Sequence, residues 1–135
     1  MAANGVRLIV VDAANVVGSR PDGWWRDRSG AASRLLERMS ALRARLAEQA
    51  EVVVVLEGAA KAAVDAGQRS SGSVCVVCAD GSGDDAIVGV VAAARAEDSS
   101  RRVTVVTADR GLRDRVAAAG AETVGPTWLL DRLGS

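Results

Sequence analysis

The hydrophobic positions of this chain fall into two rhythms that alternate along its length. Short runs of aliphatic, mostly β-branched residues appear as RLIVV at 7–11, EVVVVLE at 51–57, SVCVVCA at 73–79 and RVTVVTA at 102–108, with AETV at 121–124 as a weaker fifth. Runs of that length without polar alternation predict strands buried on both faces. Between them the apolar spacing lengthens to the helical period. Over 28–49, Ala32, Leu35, Met39, Leu42 and Leu46 lie opposite Arg34, Glu37, Arg38, Arg45 and Glu48, which predicts an amphipathic helix. Ile87, Val88, Val91 and Ala92 align over 84–97, Leu112 and Val116 over 110–119, and GPTWLLDRL puts Pro126 at a first helical position. The Ala-rich segment 58–69 reads as a partly helical connection, and the first helix after the opening strand is expected near residue 28.

Strands alternating with helices at these lengths imply right-handed crossovers. The fold class that follows is an α/β/α sandwich of three layers around a central, mostly parallel sheet of four to five strands. GQRSSGS at 67–73 and GSG at 81–83 read as loops, and no repeat or linker divides the chain, so a single domain over residues 1–135 is expected.

Composition then removes whole classes of chemistry. The chain has no His, Tyr or Phe, which excludes Ser-His-Asp and Cys-His nucleophiles, paired-His acid–base cleavage and His-based zinc hydrolase sites. An enzyme built from this sequence works through carboxylates, alone or with a hard metal ion. Cys75 and Cys78, at i and i+3 of an expected buried strand, read as inert core thiols. The N-terminus carries no basic region followed by an apolar signal core, and no apolar run approaches the ~20 residues of a membrane span. A cytoplasmic protein without a membrane partner is the expectation. The 17 basic residues balance 17 acidic ones, but only Lys61 among them is lysine. Arginine favours forked contacts to carboxylate or phosphate wherever it clusters.

The acids have a pattern of their own. In a parallel sheet, ligands bind at the carboxyl ends of the strands. Asp12 follows the first run, Glu57 ends the second, Asp84 and Asp85 open the helix after the third, and Asp109 follows the fourth. Four connections therefore deliver acid to one edge. Carboxylates gathered this way repel one another and are relieved by protons or by a cation, and an oxygen-ligated Mg²⁺ or Mn²⁺ is the economical choice. Taken singly, Asp84, Asp85 and Asp109 are each equally explained as turn or cap residues. Asp12 is not, if the next helix begins near 28. Asn15 either caps a local turn, holds Asp12 or touches a phosphate oxygen.

DAAN at 12–15, the SGDDAIV helix start at 82–88 and VTADRGLRDRV at 106–116 together resemble the NYN branch of the PIN-like nuclease superfamily, including YacP-type ribonucleases. The resemblance spans roughly residues 7–119. It implies phosphodiester hydrolysis of RNA, dependent on Mg²⁺ or Mn²⁺, with Asp12 and Asn15 matching a D-x-x-N element, Asp84 a second acid with Asp85 beside it, and Asp109 a third after a later strand. Asp12, Asp84 and Asp109 are then the expected metal ligands, with Asp85 and Glu57 as supporting acids and Asn15 fixing Asp12. Glu57 departs from the family pattern, and Asp114, five residues beyond Asp109, is either a fourth acid or surface charge.

Behind Asp12, the loop GSRPDGWWRDR sets Arg20, Arg26 and Arg28 around Trp24 and Trp25. Guanidinium on phosphate with indole under a base is a combination that holds single-stranded RNA; packing of one indole onto the first helix is the competing use. Arg110 and Arg113 either add phosphate contacts or form a solvated helix face. Two other functions share these residues: a metal-dependent phosphohydrolase acting on a nucleotide or small phosphate ester, and a non-catalytic RNA- or protein-binding domain of the same fold. An Asp-nucleophile phosphatase is disfavoured because Ala14 stands where its second Asp belongs. Neither a monomer nor a homodimer is favoured.

Overall fold

Alternate residues of Arg7–Asp12 (β1) serve two different cores, and that division organises the fold. The computed structural model describes residues 7–18, 30–31, 34–35, 37–39, 50–57, 70–71, 74–79 and 81–132. Ile9 and Val11 join Val52, Val54, Leu56 and Val106 in one buried cluster, whereas Leu8 and Val10 join Val55, Val103 and Val105 in another on the opposite face. Strands apolar on both sides need helices on both sides.

The strands are β1, β2 (Ala50–Leu56), β3 (Ser70–Ser71), β4 (Val74–Cys78), β5 (Val103–Val106) and β6 (Glu122–Val124). They lie in the order β3-β4-β2-β1-β5-β6. Five are parallel, and the expected five runs supply them; β3 adds a two-residue antiparallel edge from the segment expected to be a loop. The helices are α1 (Ala13–Gly18), α2 (Gly83–Glu97), α3 (Arg110–Ala118) and α4 (Pro126–Arg132), with further helical residues at 30–31, 34–35 and 37–39. Ile87, Val91 and Ala94 of α2 and Leu112 and Val116 of α3 cover one face. Val16 of α1, Leu35 and Met39, and Leu129 of α4 cover the other.

The amphipathic reading of 28–49 holds where the segment is described: Leu35 and Met39 are buried while Arg34, Glu37 and Arg38 are exposed. In α2 the buried stripe runs through Gly83, Ile87, Val91 and Ala94, and Ala92, expected on it, is exposed. The two cysteines also depart from expectation, since both are exposed. Their strand lies one in from the edge, and β3 pairs only with Val74 and Cys75 of it. Each β4 face is thus less covered than the centre of the sheet.

Helix ends are closed by local chemistry. Ser82 caps α2, its Oγ accepting from the Asp85 amide at 3.2 Å. α3 ends in two bonds, from the Gly120 amide to the Ala117 carbonyl and from the Ala121 amide to that of Val116, both at 3.0 Å. This closure requires a left-handed residue, and Gly120 has φ of 99°.

At the amino ends of the strands, Arg7 Nε and Nη2 donate to the Thr104 hydroxyl at 3.1 and 2.9 Å, and its guanidinium lies 5.5 Å from the centre of the Trp128 ring. Glu122 accepts from Arg102 beside it, at 2.9 Å for the closer oxygen. This end of the sheet is tied by arginine, while Asp12, Glu57, Asp84, Asp85 and Asp109 lie at the other. Among the described residues no helix is long and apolar enough to cross a membrane.

Candidate active site

Beginning at β1, the chain builds one flank of the sheet with β2 and β4, then crosses to the other flank for β5 and β6. The order of strands reverses at β1, and ligands in open α/β sheets bind beyond the carboxyl ends of the strands at such a reversal. Asp12 is the last residue of β1, so it stands at that point.

Register decides its neighbour. Val11 pairs with Val106 of β5, which sets residue 107 beside residue 12. The Thr107 hydroxyl donates to Asp12 Oδ2 at 2.9 Å and accepts from the Asp109 amide at 3.1 Å. Both Asp12, at 6 % exposure, and Thr107, at 0 %, are buried. Asp12 Oδ1 accepts from the Asn15 amide at 3.4 Å. That last bond corrects an expectation: a helix begins directly after Asp12, not near residue 28, and the carboxylate helps close its first turn. Asn15 in turn accepts the Ala108 amide on its side-chain Oδ1 at 2.8 Å, tying α1 to the segment after β5.

The other acids arrive from three connections. Glu57 follows β2 and is half-buried against the start of α2. A Cβ on Gly83 would overlap its carboxylate, so the absence of a side chain there is what admits Glu57. Asp84 and Asp85 occupy the first turn of α2, where the helix dipole favours negative charge. Asp109 caps α3, its Oδ1 accepting from the Leu112 amide at 3.0 Å. Capping explains this one bond of Asp109; the α2 cap is Ser82, not either Asp.

The acids sense one another. Burial holds the Asp12 carboxyl above the ordinary aspartate range; the bonds from Thr107 and Asn15 pull it down, and the charges of Asp84 and Glu57 push it further up. Asp84 is likewise raised, by burial first and then by Asp109, with Arg115 opposing and Asp85 adding to the rise. The donor set is all oxygen and mutually repulsive, the chemistry that suits a hard divalent cation. Its convergence is incomplete: among the described residues no three acidic or thiol side chains are grouped to hold an ion. Asp12 and Asp109 direct oxygens to Thr107 and to the Leu112 amide instead.

Of the arginines expected to meet RNA, Arg110 is exposed at the first position of α3. Arg113 directs its Nε to the Thr107 carbonyl at 2.8 Å, bracing the turn between β5 and α3. Arg20, Trp24, Trp25, Arg26 and Arg28 lie outside the described residues. Asp114 is exposed on α3 and, among the described residues, belongs to no group of three acids that could hold an ion. Two residues whose partners local sequence did not show complete the edge. Thr107 emerges from register, and Arg115 bonds Asp85 at 2.9 Å across thirty positions.

An independent likeness concerns the fold. The chain superposes on the crystal structure of Rae1 (YacP) from Bacillus subtilis with a TM-score of 0.78 at 18 % identity, covering 96 % of this chain and 74 % of that one. The W164L mutant of the same protein gives 0.75 at 17 %, covering 96 % and 76 %. The architecture is therefore the α/β fold of Rae1 (YacP). No protein-family model and no curated protein matches the sequence.

Proposed function

We propose that this protein is a ribonuclease dependent on Mg²⁺ or Mn²⁺. What supports the reading is that Asp12, Glu57, Asp84 and Asp109 all stand at the ends or starts of elements on the carboxyl edge where the strand order reverses, with Thr107, next after β5, bonded to Asp12. The fold shared with Rae1 (YacP) supports it, because this edge is where the resemblance of the three sequence motifs falls.

Asp12 and Asp84 would hold the ion, with Asp109 as third ligand once its Oδ1 leaves the Leu112 amide. When bound, the ion supplies Lewis acidity and lowers the pKa of a water. Asp12 keeps its orientation through Thr107 and the Asn15 amide, so its oxygens present one geometry. Asn15 locks the turn after β5 against α1, and Glu57, admitted by Gly83, stands ready to orient a water. The non-catalytic alternative, an RNA-binding domain, draws its support from the missing three-acid group among the described residues.

The test is calorimetric titration of Mn²⁺ and Mg²⁺ into wild type and Asp12→Asn, followed on the same samples by a mixed-sequence single-stranded RNA. Metal binding lost in the variant, with metal-dependent cleavage by wild type alone, is the expected result. Absence of binding at millimolar ion removes the nuclease reading. RNA retention without cleavage then establishes the binding module, and turnover of nucleotides without RNA cleavage the phosphohydrolase.

A further inference from the structure

The acid edge presents an electrostatic difficulty to a polyanionic substrate. Asp12, Glu57, Asp84, Asp85 and Asp109 all lie there, and an RNA strand that reaches them brings more negative charge. A divalent ion offsets part of the repulsion, and a fixed cation of the protein's own would offset more.

Six of the described arginines divide by what they hold. Arg95 donates to the Arg101 carbonyl, Arg101 pairs with Glu51, and Arg7 and Arg102 serve Thr104 and Glu122. These groups stand away from the acids, and Arg113 braces the Thr107 carbonyl. Arg115 differs. Its Nη2 meets Asp85 Oδ1 at 2.9 Å with 47 % of the Arg side chain and 72 % of the Asp side chain exposed. Exposed ion pairs of this kind add little to stability, so holding the fold together is a weak reason for the pair. A guanidinium offers five N–H donors in a planar fork suited to two-point contact with phosphate, and the Asp85 bond is one donation.

We propose that Arg115 receives a backbone phosphate of the RNA strand beside the carboxylates, with Asp85 occupying its fork until the strand arrives. This assignment rests on RNA being the substrate. Exchange of Asp85 for phosphate replaces one anionic partner by another, so the guanidinium is never left bare. Arg115 is thereby a substrate-positioning residue, and lysine in its place keeps the charge without the fork.

The assignment makes two partners of one ion pair behave oppositely, and makes the loss on neutralising Arg115 a lost phosphate contact that the salt slope reads. Binding of a fluorescein-labelled, mixed-sequence single-stranded RNA is measured by anisotropy without divalent ion, across a series of salt concentrations, for wild type, Arg115→Gln, Arg115→Lys, Asp85→Asn and the distant control Arg102→Gln. Arg115→Gln is expected to weaken binding about tenfold and to flatten the salt dependence by roughly 0.7 in log–log slope, the loss of one phosphate contact. Arg115→Lys recovers part of the affinity and the whole slope. Asp85→Asn binds more tightly than wild type, because it frees the fork and removes a like charge, and Arg102→Gln is unchanged. Equal weakening by Arg115→Gln and Asp85→Asn, or a slope that Arg115→Gln leaves intact, overturns the role of Arg115 while leaving the nuclease reading standing. No RNA binding by wild type at low salt, in Ca²⁺ as well as without divalent ion, removes both.

Discussion

The Thr107 hydroxyl donates to Asp12 Oδ2 across 2.9 Å and joins two buried residues that lie 95 positions apart in the chain. The same oxygen accepts the Asp109 amide, so one hydroxyl orients the acid of β1 and the start of the α3 cap together. Asp12 owes its geometry to the β1–β5 register more than to its neighbours in sequence.

Thr107→Val keeps the shape and removes the hydroxyl. It leaves the Asp109 amide and a buried carboxylate oxygen without their partner, at a cost of about 1–3 kcal/mol. The expected outcome is a fall of several degrees in the thermal midpoint with loss of RNA cleavage, and restoration of both by Thr107→Ser. Calorimetry and a cleavage assay on the three proteins check it; a valine variant as stable and active as wild type refutes the bracing role.

Gly83→Ala separates stability from activity. Alanine is the better helix former by up to about 1 kcal/mol, yet its Cβ occupies the space of the Glu57 carboxylate. Glu57 is the mobile end of a side chain and yields. The thermal midpoint is expected to hold or rise slightly while cleavage falls by roughly tenfold to a hundredfold, the scale of a small misplacement of a working group. Glu57→Gln should show a comparable loss, and full activity in Gly83→Ala would remove Glu57 from the site.

Gly120→Ala tests the α3 terminus. Its left-handed backbone costs a side-chain-bearing residue about 1–2 kcal/mol, and a Cβ there also meets Arg95 Nε at 2.7 Å. Urea unfolding should give a lower midpoint with an unchanged slope. A midpoint equal to that of wild type would show that the turn relaxes without penalty.

Glu122 gives the fold a pH signature away from the acid edge. Its carboxyl is held below the ordinary value of 4.5, chiefly by the hydrogen bond from Arg102. A lowered folded-state pKa contributes stability that is present above the unfolded value and lost as pH falls through the folded one. The side chain is 43 % exposed, so screening limits the contribution to at most about 1 kcal/mol. Glu122→Gln should therefore melt slightly below wild type at pH 7, with the gap closing below about pH 4.5. Melting curves at pH 7, 5 and 3 decide it, and a gap that widens in acid contradicts the pairing.

The strands were legible because β-branched runs such as VTVV and EVVVVL bury both faces and admit few other structures. α1 was not, since a helix of six residues with only Ala13 and Val16 buried is too short to display a period. β3 is shorter still. The exposure of Cys75 and Cys78 depends on how far their strand lies from the sheet centre, which strand order decides and local pattern does not encode. The acids could be placed at one edge from the sequence because parallel strands share a direction. Their partners could not: Thr107 meets Asp12 through register, and Arg115 meets Asp85 through the packing of α3 beside α2.

The central place of β1 between β2 and β5 carries a temporal consequence. Asp12 is synthesised almost a hundred residues before Thr107 and Asp109. At roughly 5–20 residues per second of translation, several seconds pass in which the first acid exists without its hydroxyl or its neighbouring cap. A nascent chain therefore carries no assembled acid edge until β5 has been made, while it is still close to the message that encodes it. Assembly waits on the insertion of β5 beside β1, a late and long-range event of the kind that slows folding.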